Sequence, residues 1–168
     1  MRDRPDDEKL RRLLNLELAL ESESDSERAL RLVLQEARAI TCARYAALGV
    51  LDEDRAELER FLALGVDAAT ERAIGRLPRG RGVLGVLIAD PRPLRLAEIA
   101  QHPDSYGFPP GHPPMRSFLG VPIMIDGEPI GNLYVADKEG GAEFTEADEH
   151  AAVRLAHVAA RAIERERA

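Results

Sequence analysis

The stretch RSFLGVPIMIDGEPIGNLYVAD, residues 116–137, decides the fold. It holds two apolar runs, Arg116–Ile125 and Pro129–Asp137, on either side of the dipeptide Asp126-Gly127. Asp-Gly favours the tight turns with positive φ angles that join neighbouring antiparallel strands. The sequence therefore predicts a β-hairpin here.

Three further strands are predicted upstream. Residues 43–51, ARYAALGVL, are apolar enough for a central strand, and Leu58–Val66 returns after a polar turn at residues 52–55. Leu94–Ile99 predicts a short strand. Because strands joined as hairpins run in opposite directions, we expect an antiparallel sheet.

Helical periodicity marks both ends of the chain. Residues 7–21 carry a wide leucine stripe made of Leu10, Leu13, Leu14, Leu16, Leu18 and Leu20. A second helix is expected to start at Ser24, which has capping-box spacing to Glu27, and to reach about Ile40.

The last helix is expected to begin after Thr145, with Asp148 at the capping-box distance, and to end near Arg165. Short helices are predicted at 70–75 and 83–89, followed by a long proline-rich loop at 100–115. The expected fold is α+β: terminal helices cover one face of the antiparallel sheet, and short helices and loops form a ligand pocket on the other. Residues 1–22 are expected to be an N-terminal helix with a dimerisation role, and residues 23–168 the main domain.

Composition narrows the class of protein. The formal net charge of −7 argues against non-specific binding to nucleic acid or anionic membranes. No apolar run approaches the roughly 18 residues of a membrane span, and the N-terminus lacks the apolar segment of a secretory signal. Cys42 is the only cysteine, which excludes a disulfide or a Cys-based zinc site within one chain, and we expect it to pack beside the first strand. We expect a cytoplasmic protein.

Gly80, Gly82 and Gly85 spell the pattern G-x-G-x-x-G. A dinucleotide site needs a buried strand before this pattern and a repeated βαβ arrangement after it. Neither is present here, since Pro78 interrupts the preceding residues and the rest of the chain is built from hairpins. A tight loop that feeds a short helix is the better interpretation.

His112 stands out because Pro113 and Pro114 follow it and restrict the backbone. A restrained imidazole is a suitable axial ligand for haem iron. A lone loop histidine is more often a surface residue, so the residues alone leave both interpretations open. His102 shares this loop, whereas His150 and His157 are expected on the solvated side of the last helix.

Tyr134 is expected to point to the opposite sheet face from Leu133 and Val135, because side chains alternate along a strand. It is either a core tyrosine or a polar donor in an apolar pocket. No nucleophile elbow, phosphate-binding loop or metalloprotease helix is present. We therefore expect that the protein is not an enzyme.

The last helix is rich in alanine, at Ala147, Ala151, Ala152, Ala156, Ala159, Ala160 and Ala162. Small side chains let another helix approach closely, so the two terminal helices are candidates for a homodimer contact. Packing onto the chain's own sheet is the equally plausible alternative.

From Leu77 to Asp148 the sequence resembles the GAF domains of actinobacterial sensor histidine kinases, above all the first GAF domain of the dormancy oxygen and redox sensor kinases. The matching segments are Gly80–Gly85, Asp90–Leu96, Gly107–Pro110, His112–Pro122, Gly131–Tyr134, Asp137-Lys138, Phe144-Thr145 and Asp148-Glu149. The resemblance implies a GAF fold that binds haem b and reports O₂, NO, CO or redox state to a fused or separate histidine kinase.

In that family the histidine before Pro-Pro-Met is the proximal haem ligand, and a tyrosine on the following strand lies on the distal side. These roles carry over to His112 and Tyr134. Candidates for the pocket wall are Leu84, Leu87, Ile88, Leu96, Ile99, Phe108, Met115, Phe118, Leu119 and Leu133. Arg116, Arg79 or Arg81 are candidates to meet the haem propionates.

Two other functions stay open at the level of sequence. The pocket could take a non-haem ligand such as a cyclic nucleotide, or the domain could serve only for dimerisation. A third, the free methionine sulfoxide reductase that shares the GAF fold, would need several cysteines, so Cys42 alone argues against it.

Overall fold

The computed structural model describes residues 5–54, 58–69, 89–98 and 116–167, which contain three long helices and five strands. The elements are α1 (Pro5–Glu21), α2 (Ser26–Thr41), β1 (Ala43–Leu51), β2 (Leu58–Leu64), β3 (Leu94–Leu96), β4 (Phe118–Ile125), β5 (Glu128–Lys138) and α3 (Glu146–Arg167). A 3-10 turn, Glu139–Gly141, connects β5 to α3. The helices expected at 70–75 and 83–89 and the loop at 100–115 lie outside the described residues, apart from a helical residue at Ala89.

The five strands form one sheet in the order β2-β1-β5-β4-β3, and every neighbouring pair is antiparallel. This confirms the α+β prediction. β2 ends at Leu64 and not at the predicted Val66, because Gly65 turns the chain with a φ of +94°. β3 is also shorter than predicted and ends at Leu96.

The predicted β4–β5 hairpin is confirmed. Asp126 and Gly127 have φ angles of 51° and 78°, the pair of positive values that a tight hairpin turn requires. Neither angle is favourable for a bulky or β-branched residue. The two turn residues therefore fix where the chain reverses and which residues of β4 and β5 face each other.

One face of the sheet packs against all three helices. Alternation along β4 and β5 directs Leu119, Val121, Leu133 and Val135 into this core. Helix α3 covers them with Ala152, Leu155, Ala156, Ala159 and Ile163, the face predicted from the sequence. Six of the seven alanines that suggested an intersubunit contact are buried by this chain's own core, whereas Ala147 is exposed.

Helix α1 divides its leucines between two sides. Leu13, Leu16 and Leu20 are buried in the core with α2 and α3. Leu10, Leu14 and Leu18 are exposed, although the sequence showed all six as one stripe. A surface helix needs only a narrower apolar strip to pack on its own domain, so part of this wide stripe stays exposed to solvent.

The start of α2 corrects one prediction. The N-cap is Asp25 and not Ser24: its side-chain Oδ1 accepts a hydrogen bond from the backbone N–H of Arg28 at 3.0 Å. At the other end of α2, Cys42 has a φ of 57° and closes the helix in the left-handed conformation. Its side chain is exposed and does not pack beside β1 as expected.

The start of α3 confirms the predicted capping box. The backbone N–H of Asp148 donates to Thr145 Oγ1 at 3.1 Å, and the backbone N–H of Thr145 donates to Asp148 Oδ2 at 2.9 Å. Asp148 is fully buried, and the Nζ of Lys138 donates to Oδ2 at 2.6 Å. Lys9 of α1 lies 3.6 Å from Oδ1. The same carboxylate thus joins α1, β5 and α3.

Gly131 on β5 lies close to the backbone of the neighbouring strand β1. A Cβ on Gly131 would lie 2.3 Å from the carbonyl oxygen of Gly49 on β1. We predict that Gly131→Ala lowers the free energy of unfolding by about 2–4 kcal/mol, because backbone and not a flexible side chain must move. Urea unfolding followed by circular dichroism measures the loss.

Gly140→Ala is the matched control, because a Cβ at Gly140 meets open space and only the φ of +80° is unfavourable. We expect that control to cost about 1 kcal/mol. An equal or smaller loss for Gly131→Ala would contradict the proposed clash.

The lowered pKa of Asp148 predicts that the free energy of unfolding depends on pH. Burial by itself raises the pKa of Asp148, but hydrogen bonds from Lys138 and Thr145 and the charges of Lys138 and Lys9 outweigh it and hold the pKa below 3.8. The unfolded chain therefore binds a proton at higher pH than the folded chain. We predict that Asp148→Asn costs about 2–4 kcal/mol at neutral pH and that this difference shrinks below about pH 4.

Thermal unfolding of both proteins across the acid range measures this difference. Glu146→Gln is the control, because Glu146 lies in the same first turn of α3 with its side chain 76% exposed. A difference for Asp148→Asn that stays constant down to low pH would show that the charge does not matter.

Candidate functional site

The sheet face that points away from the helices, here called the outer face, has a central row with one residue from each strand. The register aligns Ala63 on β2, Ala47 on β1, Tyr134 on β5, Gly120 on β4 and Leu94 on β3. The two neighbours of the tyrosine are thus an alanine and a glycine. In this row the sheet therefore places only small residues directly beside Tyr134.

Aromatic and aliphatic side chains surround this row. The rings of Phe118 and Tyr134 stack with centroids 5.6 Å apart and an interplanar angle of 27°. Ala47, Ala63, Phe118 and Tyr134 form one buried cluster, separate from the core under the helices. Partly buried apolar side chains complete its edge: Phe61, Val66, Leu94 and Leu96. The centre of the outer face is therefore largely apolar, with the hydroxyl group of Tyr134 among these side chains.

Burial raises the pKa of the Tyr134 hydroxyl well above its ordinary value of 10. Removing a phenolate from water is costly, so the neutral form is favoured. Tyr134 therefore carries its proton throughout the physiological pH range. A protonated hydroxyl in an apolar setting is suited to donate a hydrogen bond to a small ligand.

The structure brings together two of the predicted site residues and separates two others. Phe118 and Tyr134 lie together on the outer face. Leu119 and Leu133 are their chain neighbours, so alternation directs both into the core beneath the helices. Their assignment to the pocket wall is therefore corrected. Of the remaining wall candidates, Leu96 lies at the edge of the outer face.

Arg116, predicted to meet haem propionates, lies just before β4 with its side chain 83% exposed. Its Nε donates to Glu98 Oε2 at 3.3 Å, and its backbone N–H donates to Asp137 Oδ1 at 2.6 Å. It lines a cavity of about 570 Å³ at this end of the sheet, whose charged lining mixes the cations Arg44 and Lys138 with the carboxylates of Glu98, Asp137, Glu139 and Glu143. The guanidinium is accessible to an anionic group.

The other predicted site residues lie outside the described part of the chain: the axial ligand candidate His112, and Leu87, Phe108 and Met115 of the wall. Within residues 5–54, 58–69, 89–98 and 116–167 no three acidic, histidine or cysteine side chains cluster as a metal site. The same part of the chain contains no helix that is long and apolar enough to cross a membrane. His150 and His157 are exposed on α3, as expected.

Sequence reasoning missed the small residues that shape the outer face. Ala47, Ala63 and Gly120 carry no chemistry of their own, and only the strand register shows that they share a row with Tyr134. Asn132 was also missed. It is buried two residues before Tyr134, and alternation therefore assigns its amide to the same face. A buried amide on an apolar strand was the signal that could have found it.

The chain is similar to several solved structures. The GAF domain of a phosphoenolpyruvate-protein phosphotransferase from Coxiella burnetii matches with 26% identity and a TM-score of 0.83, over 95% of this chain and 94% of that one. A free methionine-R-sulfoxide reductase from Neisseria meningitidis matches with 22% identity and a TM-score of 0.78, over 99% and 95%. A GAF domain/HD domain protein from Geobacter sulfurreducens matches with 16% identity and a TM-score of 0.69, over 86% and 96%.

The last two matches have less than 25% sequence identity and therefore support the fold alone. The family assignment comes from a sequence model described as a GAF domain, which matches residues 23–164 and so covers well over half of the chain. This protein belongs to the GAF domain family and is a sensory and signalling domain.

Proposed function

We propose that this GAF domain is a sensor that binds haem b on the outer face of its sheet, with His112 as the axial ligand. The observation that carries the proposal is the buried ring of Tyr134, between Ala47 and Gly120 in the central row. The sequence resemblance assigns the distal role to this tyrosine. Its burial on the face away from the helices agrees with that role.

The described residues fit a flat, apolar, aromatic ligand. Ala47, Ala63 and Gly120 provide a shallow floor, and the stacked rings of Phe118 and Tyr134 offer a planar contact surface. A porphyrin needs such an apolar slot and a polar edge for its propionates. Arg116 is an accessible cation at the end of the sheet and is our candidate for that edge.

When bound, haem supplies an iron centre that takes O₂, NO or CO or changes redox state. This chain's own residues hold and tune it. His112 is restrained by the two prolines that follow it, which lowers the cost of ordering the ligand. Tyr134 keeps its proton because burial raises its pKa, so it would serve as a neutral hydrogen-bond donor to a small bound ligand.

We also propose a route for the signal. β5 carries Tyr134 on the outer face and Leu133 and Val135 in the core under α2 and α3. A shift of this strand on ligand binding would therefore change its packing against the helices. The helices would pass it to a second copy of the chain or to a fused or separate histidine kinase in the cytoplasm.

We propose a binding and not a catalytic role. The structurally similar protein from Neisseria meningitidis is a free methionine-R-sulfoxide reductase. That reductase chemistry would need several cysteines, and this chain has one. Cys42 is exposed at the end of α2, outside the residues that form the floor of the outer face.

The first prediction is haem uptake that depends on His112. Purified protein reconstituted with haem should bind one equivalent and give a strong Soret band, and His112→Ala should lose or shift that band because the iron loses its protein ligand. Absorption spectra of titrated samples measure both. His102→Ala is the matched control, since it removes an imidazole from the same loop.

Two outcomes would contradict the proposal: wild-type protein that takes up no stoichiometric haem, or an unchanged spectrum in His112→Ala. Stabilisation of haem-free protein by a cyclic nucleotide, seen as a higher unfolding temperature, would then favour the non-haem alternative.

The second prediction concerns Tyr134→Phe. The variant should still take up haem, because the ring and its packing against Phe118 remain. Loss of the hydroxyl should change the CO dissociation rate by about threefold to tenfold, the equivalent of one hydrogen bond. Flash photolysis or ligand-replacement kinetics measure the rate.

Tyr45→Phe is the control for that experiment. Tyr45, on β1, is a second buried tyrosine and belongs to a separate cluster with Ala136. Equal rates in wild type and Tyr134→Phe would rule out a distal role for the hydroxyl.

A further inference from the structure

The last turn of α3 has no apolar side chain to pack on the domain. Its residues, 164–167, read Glu-Arg-Glu-Arg, and the last residue of α3 in the described apolar core is Ile163. A helix end that buries no apolar side chain depends on polar contacts, and such segments open at a small cost in free energy. The contacts of this turn therefore decide how firmly the end of α3 is held.

Two ion pairs join this turn to β2, and we call them the β2–α3 clamp. Arg60 Nη2 donates to Glu166 Oε1 at 2.6 Å, and Arg167 Nη2 donates to Glu59 Oε2 at 3.2 Å. The hydrogen bond from Arg60 holds the pKa of Glu166 below its ordinary value, so Glu166 is a carboxylate at neutral pH. Arg167 Nη2 also donates to the carbonyl oxygen of Leu51, at the end of β1, at 2.7 Å. Each of the two strand residues thus has a partner of opposite charge on the helix.

A β-bulge allows two consecutive residues of β2 to reach the same helix. Arg60 and Leu58 pair with two consecutive residues of β1, so Glu59 between them is the extra residue of β2. In a regular strand, neighbouring side chains point to opposite faces of the sheet, and Glu59 would point away from the helices. Bulges change the direction of side chains, and they are frequent beside functional sites. This bulge therefore makes the paired contact with α3 possible.

The strand that carries the clamp also forms part of the outer face. Beyond the bulge its side chains alternate: Leu62 is buried in the core under the helices, whereas Phe61 and Ala63 belong to the outer-face cluster with Tyr134. Among the described strands β2 lies at the edge of the sheet, next to β1. A strand with one neighbour is less restrained than a strand inside the sheet. A ligand that packs on Phe61 and Ala63 would therefore restrain β2 and, through Arg60, the end of α3.

We infer that the β2–α3 clamp is a signalling contact, which tightens when the outer face is occupied and transmits that occupancy to the last turn of α3. The inference rests on the proposed function, because it needs a ligand on the outer face. It adds a second route to the one through β5. The side chains of Arg60 and Glu166 are 25% and 40% exposed, and ion pairs with such exposure are weak. The contact can therefore open without unfolding of the domain.

Hydrogen exchange of the full chain, followed by mass spectrometry of peptides that cover residues 158–168, tests the clamp. In the haem-free protein, Arg60→Gln should speed exchange of these amides by about threefold to tenfold, the effect of losing a well-aligned ion pair. Arg60 Nη1 also donates to Ser26 Oγ of α2 at 3.4 Å, so a charge swap isolates the contact with Glu166. Arg60→Glu combined with Glu166→Arg should restore most of the protection. Unchanged exchange in Arg60→Gln would show that the clamp does not hold the end of α3.

Haem loading tests the signalling role. In wild-type protein, one equivalent of haem should slow exchange of the same peptides by about threefold or more. In Arg60→Gln the Soret band should show the same haem uptake, but exchange at the end of α3 should no longer respond to haem. Arg165→Gln is the matched control, because Arg165 belongs to the same turn but donates to the carbonyl oxygen of Leu20 on α1 at 3.3 Å. That variant should keep the response to haem.

Two results with haem-loaded protein would overturn the inference alone. The first is haem that binds to wild type without changing exchange at the end of α3, and the second is a response that persists in Arg60→Gln. Wild-type protein that takes up no haem would instead overturn the sensor proposal and this inference with it. The haem-free comparison separates that failure from the absence of a clamp.

Discussion

The two-residue period of side chains along β5 is the constraint on which this molecule depends. It directs Leu133 and Val135 towards the helices and Tyr134 away from them. β5 lies in the middle of the sheet between β1 and β4. Its register therefore determines which side chains of both neighbouring strands lie beside those of β5 on each face of the sheet. A shift of this register by one residue would move the core side chains to the outer face and the outer-face side chains into the core. The fixed turn at Asp126-Gly127 and the close contact at Gly131 oppose such a slip.

Much of this arrangement could be predicted from the sequence because local chemistry specified it. The hairpin turn requires positive φ angles that Asp-Gly tolerates, and Thr145 with Asp148 formed the expected capping box. The start of α2 was less certain for a physical reason. Ser24, Asp25 and Ser26 can all cap a helix, and only the folded backbone selects Asp25.

The candidate site was harder to predict. Both faces of β4 and β5 are buried, so hydrophobicity alone does not tell which face a leucine occupies. The sequence pattern therefore predicts a pocket-wall position for Leu119 and Leu133, although both belong to the core. Tyr134 was assigned to the correct side by simple alternation. Its setting between Ala47 and Gly120 depends on strand pairing across distant parts of the chain, which no local pattern encodes.

The buried carboxylate of Asp148 has a consequence for cooperativity. It receives Lys138 from the end of β5, lies near Lys9 of α1 and closes the first turn of α3. Detaching α1 would remove the Lys9 ammonium from the neighbourhood of the Asp148 carboxylate, which is buried away from water. Fraying of the first helix is thereby coupled to loosening of the last one, and the two ends of the chain should melt together as one unit.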